Sequence, residues 1–350
     1  MKIFTETIDY MNIILSVVLV SFVFILIGLH IFTELKDKKK KKIKRKILQL
    51  IDNDDNSVTD ICSIKKIRSI DGIRVLDEMA KELNSVQLSV LRVAVADKEY
   101  EKYLKKTISS KKHSVAVLTT KLVGEFRLSH FVPEIMNNLK RWNKHAEAQQ
   151  IGLLALFLNG CHKELVDLLS DKSFSLIISF RTIQELVESF SGDKEKFFKE
   201  LLLLDCDTYI KRACIQTIGN EGIVSLAEQV MGFLDSENLN ILVSTTRSLG
   251  ALKYLPAKEK LIKKLENCEW ELSCAIVEAL AKIDAENCYE IILPFVFHKE
   301  WWVRYRTAET LVSLPKNEKL IEDIEKSGDK YATEIVSYML ERKKLMKEGA

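Results

Sequence analysis

Glycine and proline are scarce in this chain, with 12 and 4 copies among 350 residues. A protein built from many short strands needs Gly, Pro or Asn at its turns, so the scarcity argues against a sheet-rich fold. Glycine-rich phosphate cradles of the GxxxxGKS or GxGxxG kind are absent too, which removes the usual nucleotide-binding signatures. Seven cysteines, at 62, 161, 206, 214, 268, 274 and 288, are odd in number and contain no CxxC. Neither a disulfide framework nor a zinc ribbon follows from that spacing. Reduced thiols fit a cytoplasmic setting, and Cys214 falls on an apolar helical face, where a thiol acts as a small hydrophobe. The six histidines form no HxxxH or HExxH, so no zinc site and no cofactor is expected. No catalytic constellation emerges, and the chain reads as something other than an enzyme.

What is present is apolar and charged in the proportions of a folded protein, 47% and 29%. The net charge of +3 conceals an asymmetry. Residues 34–46 carry nine Lys and Arg against Glu34 and Asp37, whereas residues 1–33 carry Lys2 against Glu6 and Asp9, leaving 47–350 at −3. A slightly acidic large domain speaks against nucleic acid as its partner.

From Tyr10 to Thr33 no residue is charged, and Ile13–Phe32 is almost wholly aliphatic or aromatic. A helix over that stretch is about 36 Å long, enough for a hydrocarbon core of about 30 Å. A signal peptide would have a basic n-region, a shorter apolar run and a small-residue cleavage site. This segment has an acidic N-terminal flank and ends in Phe32-Thr33-Glu34-Leu35, so it reads as a retained transmembrane anchor. Basic residues stay on the cytoplasmic side, which places residues 1–9 outside and everything after the anchor in the cytoplasm. The polybasic stretch also offers Lys38, Lys39, Lys40, Lys41, Lys42, Lys44 and Arg45 to anionic lipid headgroups, although a plain stop-transfer signal needs nothing more. His30 sits near the inner boundary, where snorkelling accounts for it.

Beyond residue 110 the sequence repeats. Ile218, Leu249, Leu280 and Leu311 close successive amphipathic stretches at intervals of 31 residues. Eight positions before each stand Ile210, Ile241, Leu272 and Val303; four before, Cys214, Thr245, Ile276 and Thr307; one before, Thr217, Ser248, Ala279 and Thr310. The offsets trace one helical face, and its small residues admit a close neighbour. A second apolar-periodic segment precedes each, over 223–234, 256–265 and 288–297, with Pro133, Pro256 and Pro294 placed where helices begin. Units of two helices cannot bury their faces alone and must stack. Weaker copies close near Val123, Leu156 and Leu186, which makes about seven units. Residues 316–346 provide a final helical pair, and 64–70, 72–83 and 87–106 read as helical without clear register. The segments are thus 1–9 extracytoplasmic, 10–33 transmembrane, 34–46 polybasic, 47–109 and 110–315 helical repeat, and 316–350 capping helices.

This pattern resembles HEAT repeats, specifically the short bacterial, phycobilisome-lyase-like type, whose unit runs Asp, two residues, Val-Arg, spaced alanines, then Leu-Gly. Matching stretches are Asp207-Thr208-Tyr209-Ile210-Lys211 closing at Ile218-Gly219, and Glu300-Trp301-Trp302-Val303-Arg304 closing at Leu311. The middle pair keeps Leu249-Gly250 and Leu280 but has Leu242 and Ser273 in place of the arginine. The resemblance implies an all-α, HEAT-like α-solenoid behind one N-terminal transmembrane helix, and it implies an inter-repeat ion pair for Arg304. It is nearly silent on activity, because such solenoids host many functions.

Trp270 and Trp301 are 31 residues apart and equivalent in adjacent units, with Trp302 following directly. Trp and Arg dominate binding hot spots, so Trp270, Trp301, Trp302, Arg304 and Arg306 are candidate protein-binding residues, set against a family habit of packing such a Trp on the helix start. HEAT-like hydroxylases bind di-iron through His-Glu dipeptides, which this chain lacks; His162-Lys163-Glu164 and His298-Lys299-Glu300 carry one residue more. The expected function is a membrane-tethered scaffold for a protein partner, and anchored HEAT proteins of this outline resemble accessory proteins of envelope glycosyltransferases or secretion systems. The alternatives are a lyase or hydroxylase-type modifying enzyme and a nucleic-acid binder. The last would need Lys211, Arg212 and Arg247 to line one groove with Arg304 and Arg306.

Overall fold

A computed structural model describes residues 2–52, 61, 64, 67–314 and 317–348, with side chains from 17 to 346 except 52, 317 and 318. Among them there are nineteen α-helices and no strand. The protein is all-α, as the periodicity predicts. Two compact units are present, Met1–Asn138 and Leu139–Ala350.

The first unit begins with α1 (Lys2–Asp52), one uninterrupted helix of 51 residues. No proline and a single glycine, Gly28, lie within it, so nothing in the sequence forces a break between the apolar stretch and the lysines. After it come α2 (Ile70–Glu82), α3 (Ser85–Val95), α4 (Lys98–Ile108) and α5 (His113–Glu125), and the division between the units falls within α6 (Val132–Arg141). The end of α1 packs on α2 and α3 through Ile43, Ile47 and Ile51, all buried. Their spacing of four puts them on one face. Ser69 caps α2 by accepting from Gly72 N at 3.0 Å, which stops the helix there. The expectation of helix over 64–70 is corrected accordingly: Ile64 and Ile67–Ser69 are not helical, and the remaining residues of that stretch before Ile70 lie outside the described set. Asp97 accepts from Glu99 N, capping α4 and dividing the 87–106 segment in two.

The second unit contains α7 (Ala146–Leu158), α8 (His162–Ser170), α9 (Phe180–Glu188), α10 (Lys194–Leu203), α11 (Thr208–Glu221), α12 (Ala227–Gly232), α13 (Leu239–Ala251), α14 (Lys258–Leu265), α15 (Trp270–Ile283), α16 (Tyr289–Ile292), α17 (Trp301–Ser313), α18 (Asn317–Ser327) and α19 (Lys330–Glu348). Helices α9, α11, α13, α15, α17 and α19 stack side by side in that order. The result is an α-solenoid of HEAT-like pairs. Ile218, Leu249, Leu280 and Leu311 are fully buried, and so are most of the small residues beside them.

The Leu-Gly closure has a packing cause. A Cβ on Gly219 would stand 2.7 Å from Ser248 Cα, and one on Gly250 would stand 2.8 Å from Ala279 Cα. Neighbouring backbones therefore touch where the glycines lie. Gly250→Ala is expected to destabilise by about 1–3 kcal/mol through overpacking, while Gly232→Ala, with open space around it, gains up to about 1 kcal/mol of helix propensity. Urea unfolding of the two variants in detergent micelles checks the contrast.

The first helix of each pair is less regular than its periodicity suggests. Residues 223–234 divide into a 3-10 turn, α12 and a second 3-10 turn, and α16 gives way to a 3-10 run over Leu293–Phe297. Pro294 has no N–H to give to an α-helical bond and crowds the preceding turn, so the chain tightens there.

Candidate functional site

Two features outside the core leave apolar or charged side chains exposed. The first is α1. Residues 17–35 form a helical surface that is exposed throughout, from Val17 to Leu35, with a mean hydropathy of 2.3 in its most apolar window. No other described helix is both long and apolar enough to cross a membrane. On the same helix the lysines divide by face. Lys40 pairs with Glu78 at 3.1 Å and Lys44 with Glu82, both glutamates belonging to α2. Lys38, Lys39, Lys41, Lys42 and Arg45 point away and are exposed, with Lys38 also meeting Glu34 one turn earlier at 2.8 Å.

The second feature lies where α17 begins. The Trp301 and Trp302 rings meet edge to face at 4.7 Å, and Tyr305, one turn on, lies 5.0 Å from Trp301 and 6.2 Å from Trp302. Trp301 is 48% exposed and Trp302 51%. An open groove of about 360 Å³ runs along Trp301 and Tyr305 against Tyr331, Ile335 and Tyr338 of α19. Arg304 forms part of its wall. Its Nη1 donates to the carbonyls of His298 at 2.8 Å and Lys299 at 3.1 Å, and its guanidinium stands 5.5 Å from the Tyr331 ring. Among the described residues Arg304 makes no ion pair of the kind implied for it; it caps the end of the preceding 3-10 run instead, whose carbonyls have no helical donors.

The other candidates do not join this groove. Trp270, 38% exposed at the start of α15, makes no ring contact with the pair among the described residues. Arg306 turns to another row, with Nε 3.5 Å from Glu278 and Nη1 2.8 Å from Glu309. Glu309 also receives Arg342 Nη1 at 3.2 Å. The groove that would suit nucleic acid does not form as one basic strip, because Glu278 and Glu309 interrupt it. Sequence reasoning missed Tyr305, Tyr331 and Tyr338. The first was accessible from its i, i+4 spacing to Trp301; the others reach the groove only through helix packing.

Histidine and cysteine chemistry is muted. His162 Nε2 lies 2.6 Å from Glu200 Oε2, and His298 Nδ1 accepts from Glu300 N at 3.1 Å. No group of three His, Cys, Asp or Glu is placed to hold a metal among the described residues. Burial raises the Cys161, Cys206 and Cys274 thiols to about 11 and pushes Cys214 well above its usual value, so these four are protonated, weakly reactive thiols at neutral pH. Cys62 lies outside the described residues.

No protein-family profile and no curated protein matches the chain. It is similar in structure to the complex of CpcE and CpcF of phycocyanin lyase from Nostoc sp. PCC7120, at 12% identity over 77% of this chain and 88% of that one, with a TM-score of 0.26. The likeness is one of helical-repeat architecture and gives no residue a role. It does correct one expectation. The chain read as a non-enzyme because it lacks a recognisable catalytic constellation, yet the solved complex it matches is a lyase. That reading is withdrawn.

Proposed function

We propose that this protein is a membrane-tethered scaffold that presents its solenoid to a protein partner. The observation that carries the reading is α1. Its exposed apolar surface over 17–35 is continuous, in one helix, with a face buried in the first unit at Ile43, Ile47 and Ile51. A helix of that kind anchors a folded domain in a bilayer at a fixed attitude, without a flexible linker. The basic residues that follow the span favour an external N-terminus and a cytoplasmic solenoid. The exposed basic face of α1 then meets anionic headgroups, at about 1 kcal/mol per residue close to the surface. At 1.5 Å per residue Lys38 and Lys39 lie nearest the end of the apolar run and Arg45 about a Debye length beyond them, so the first two contribute most.

The aromatic groove of Trp301, Tyr305, Tyr331 and Tyr338, with Trp302 packed beside Trp301, is the surface proposed for the partner, a membrane-associated protein. Half-exposed Trp and Tyr rings that already pack on one another offer large apolar area at little further entropic cost. Tethering confines both proteins to a thin layer, so a modest affinity suffices. An accessory role for an envelope glycosyltransferase or a secretion system fits this arrangement.

The test is a pull-down of tagged full-length protein after mild detergent extraction, comparing wild type with Trp301→Ala/Trp302→Ala. A specific co-purifying membrane protein, lost at least tenfold in the double variant, is the expected result. Recovery of bait alone from wild type overturns the scaffold reading. Stoichiometric iron or a visible chromophore in the purified protein would replace it with a hydroxylase or lyase-type enzyme.

A further inference from the structure

Along the row of stacked helices in the second unit, each unit places one polar residue at the position equivalent to Arg247: Glu185, Gln216, Arg247, Glu278 and Glu309, with intervals of 31. Most of the charges on and beside this row are matched. Arg181 Nε pairs with Glu185 at 3.1 Å, Arg306 with Glu278 and Glu309, and Arg342 with Glu309. Arg212 and Arg247 are different. Neither makes an ion pair with any carboxylate among the described residues.

Arg212 is nonetheless held in place. Its guanidinium carbon lies 4.0 Å from the centroid of the Phe180 ring, and its Nε donates to Ser244 Oγ at 3.3 Å. The same oxygen, buried in α13, accepts from Gln216 Nε2 at 3.1 Å. Phe180 is itself braced by Tyr209, with centroids 5.9 Å apart. The stack fixes the plane of the guanidinium and the Ser244 bond fixes its rotation. The terminal nitrogens, the edge that grips an oxyanion two bonds at a time, make no hydrogen bond among the described residues. Burial first, and the neighbouring Arg247 second, lower the Arg212 pKa. Arg247 stands on α13, which packs directly on the α11 helix that carries Arg212, and among the described residues neither guanidinium meets a carboxylate, an arrangement that an external anion relieves.

We propose that Arg212, held by Phe180 and Ser244, and Arg247 on the neighbouring helix form a recognition site for a carboxylate side chain in an acidic segment of a protein partner. Charge complementarity selects that occupant. The basic spot is local: Arg181 and Glu185 flank it on one side and Glu278 and Glu309 on the other, so a nucleic acid with a phosphate at every step would run onto carboxylates. A segment bearing one or two acidic residues fits between them. The site rests on the scaffold reading and is separate from the Trp301 groove.

The experiment is fluorescence anisotropy with a labelled peptide of two adjacent glutamates flanked by Gly and Ser, titrated with full-length protein in neutral-detergent micelles. Wild type is expected to bind it saturably. Arg212→Gln and Arg247→Gln each weaken binding about tenfold or more, the usual scale for a lost charged hydrogen bond. Arg212→Lys does the same, because a point charge lacks the fork. The thermal midpoint of Arg247→Gln is expected to stay level or rise, since it removes a repulsion and no hydrogen bond among the described residues; a purely structural arginine would lower it. Three results overturn the site: no saturable binding to wild type, binding unchanged in both Gln variants (which assigns it to the lysines of α1), or tighter arginine-dependent binding of a single-stranded oligonucleotide than of the peptide. Partner capture that survives Arg212→Gln and fails in Trp301→Ala/Trp302→Ala removes this site alone. Peptide binding with no captured partner removes the groove and leaves the arginine pair.

Discussion

Ile47→Asp is expected to detach α1 from the first unit. Ile47 is fully buried between Ile43 and Ile51 on the face that meets α2 and α3. Removing its side chain from the core forfeits about 2–3 kcal/mol of apolar burial. The aspartate adds a buried polar group, and Lys44 beside it is already engaged by Glu82. An unmatched buried carboxyl costs further kcal/mol whether it protonates or drags the helix into water. Together these come to roughly 5 kcal/mol, comparable with the whole stability of a small unit. Hydrogen exchange in micelles reads the effect: α2 amides lose protection by a thousandfold or more, while those of α13 and α15 are unchanged. Ile47→Val, which loses one methyl group, costs about 1 kcal/mol. Unchanged α2 protection in Ile47→Asp would mean that the anchor ends in a loose joint, and the fixed attitude proposed for the scaffold would go with it. The effect is separable from membrane insertion, because Ile47 lies past the apolar run and Leu29→Asp would act on insertion instead.

The fold was legible because its determinants are periodic. Burial of Ile218, Leu249, Leu280 and Leu311 at equal intervals is written in residue type alone, since only an apolar residue survives at a position wedged between two helices. Gly219 and Gly250 were legible as motif residues, but their reason, backbone contact with Ser248 and Ala279, needed the packing. The aromatic site was half legible: Trp301 and Trp302 stand out by rarity, whereas Tyr331 and Tyr338 come from a helix with no register to the repeat. Arg304 and Arg306 looked like neighbours on a ledge. Two residues apart on a helix they differ by about 200° in direction, so one caps a 3-10 run and the other joins a charged row. The lysines of α1 read as a single cluster for the same reason. Composition is blind to face, and only Ile43, Ile47 and Ile51 betray which side of the cluster turns inward. That Arg212 and Arg247 meet no carboxylate among the described residues could not be read at all, because which charges come together is a fact about space.

Phe197→Ala is expected to be among the most damaging single substitutions in the second unit, and its manner of unfolding is informative. The Phe197 ring stacks on Phe190 at 4.1 Å, meets Phe157 edge to face at 6.0 Å and touches the His162 ring at 5.3 Å. All three phenylalanines are buried, and they come from α7, from α10 and from the turn that follows α9. The variant opens a cavity at the point where three pairs of helices share one core, at a cost of about 3–5 kcal/mol. At 2–4 °C per kcal/mol for a chain of this size the melting midpoint falls by roughly 10 °C. A solenoid is stabilised mainly by contacts between neighbours, so the loss should not spread evenly. The α7–α10 end is expected to melt first, as a separate transition, while α13 to α17, joined through Gly250 and Ala279, hold to a temperature near that of wild type. Calorimetry or far-ultraviolet circular dichroism in micelles distinguishes the outcomes. A single transition displaced by less than about 2 °C would show that the aromatic cluster is dispensable. A single transition displaced by the full amount would show that the unit melts as one cooperative block, with helix-to-helix coupling stronger than the pairs themselves.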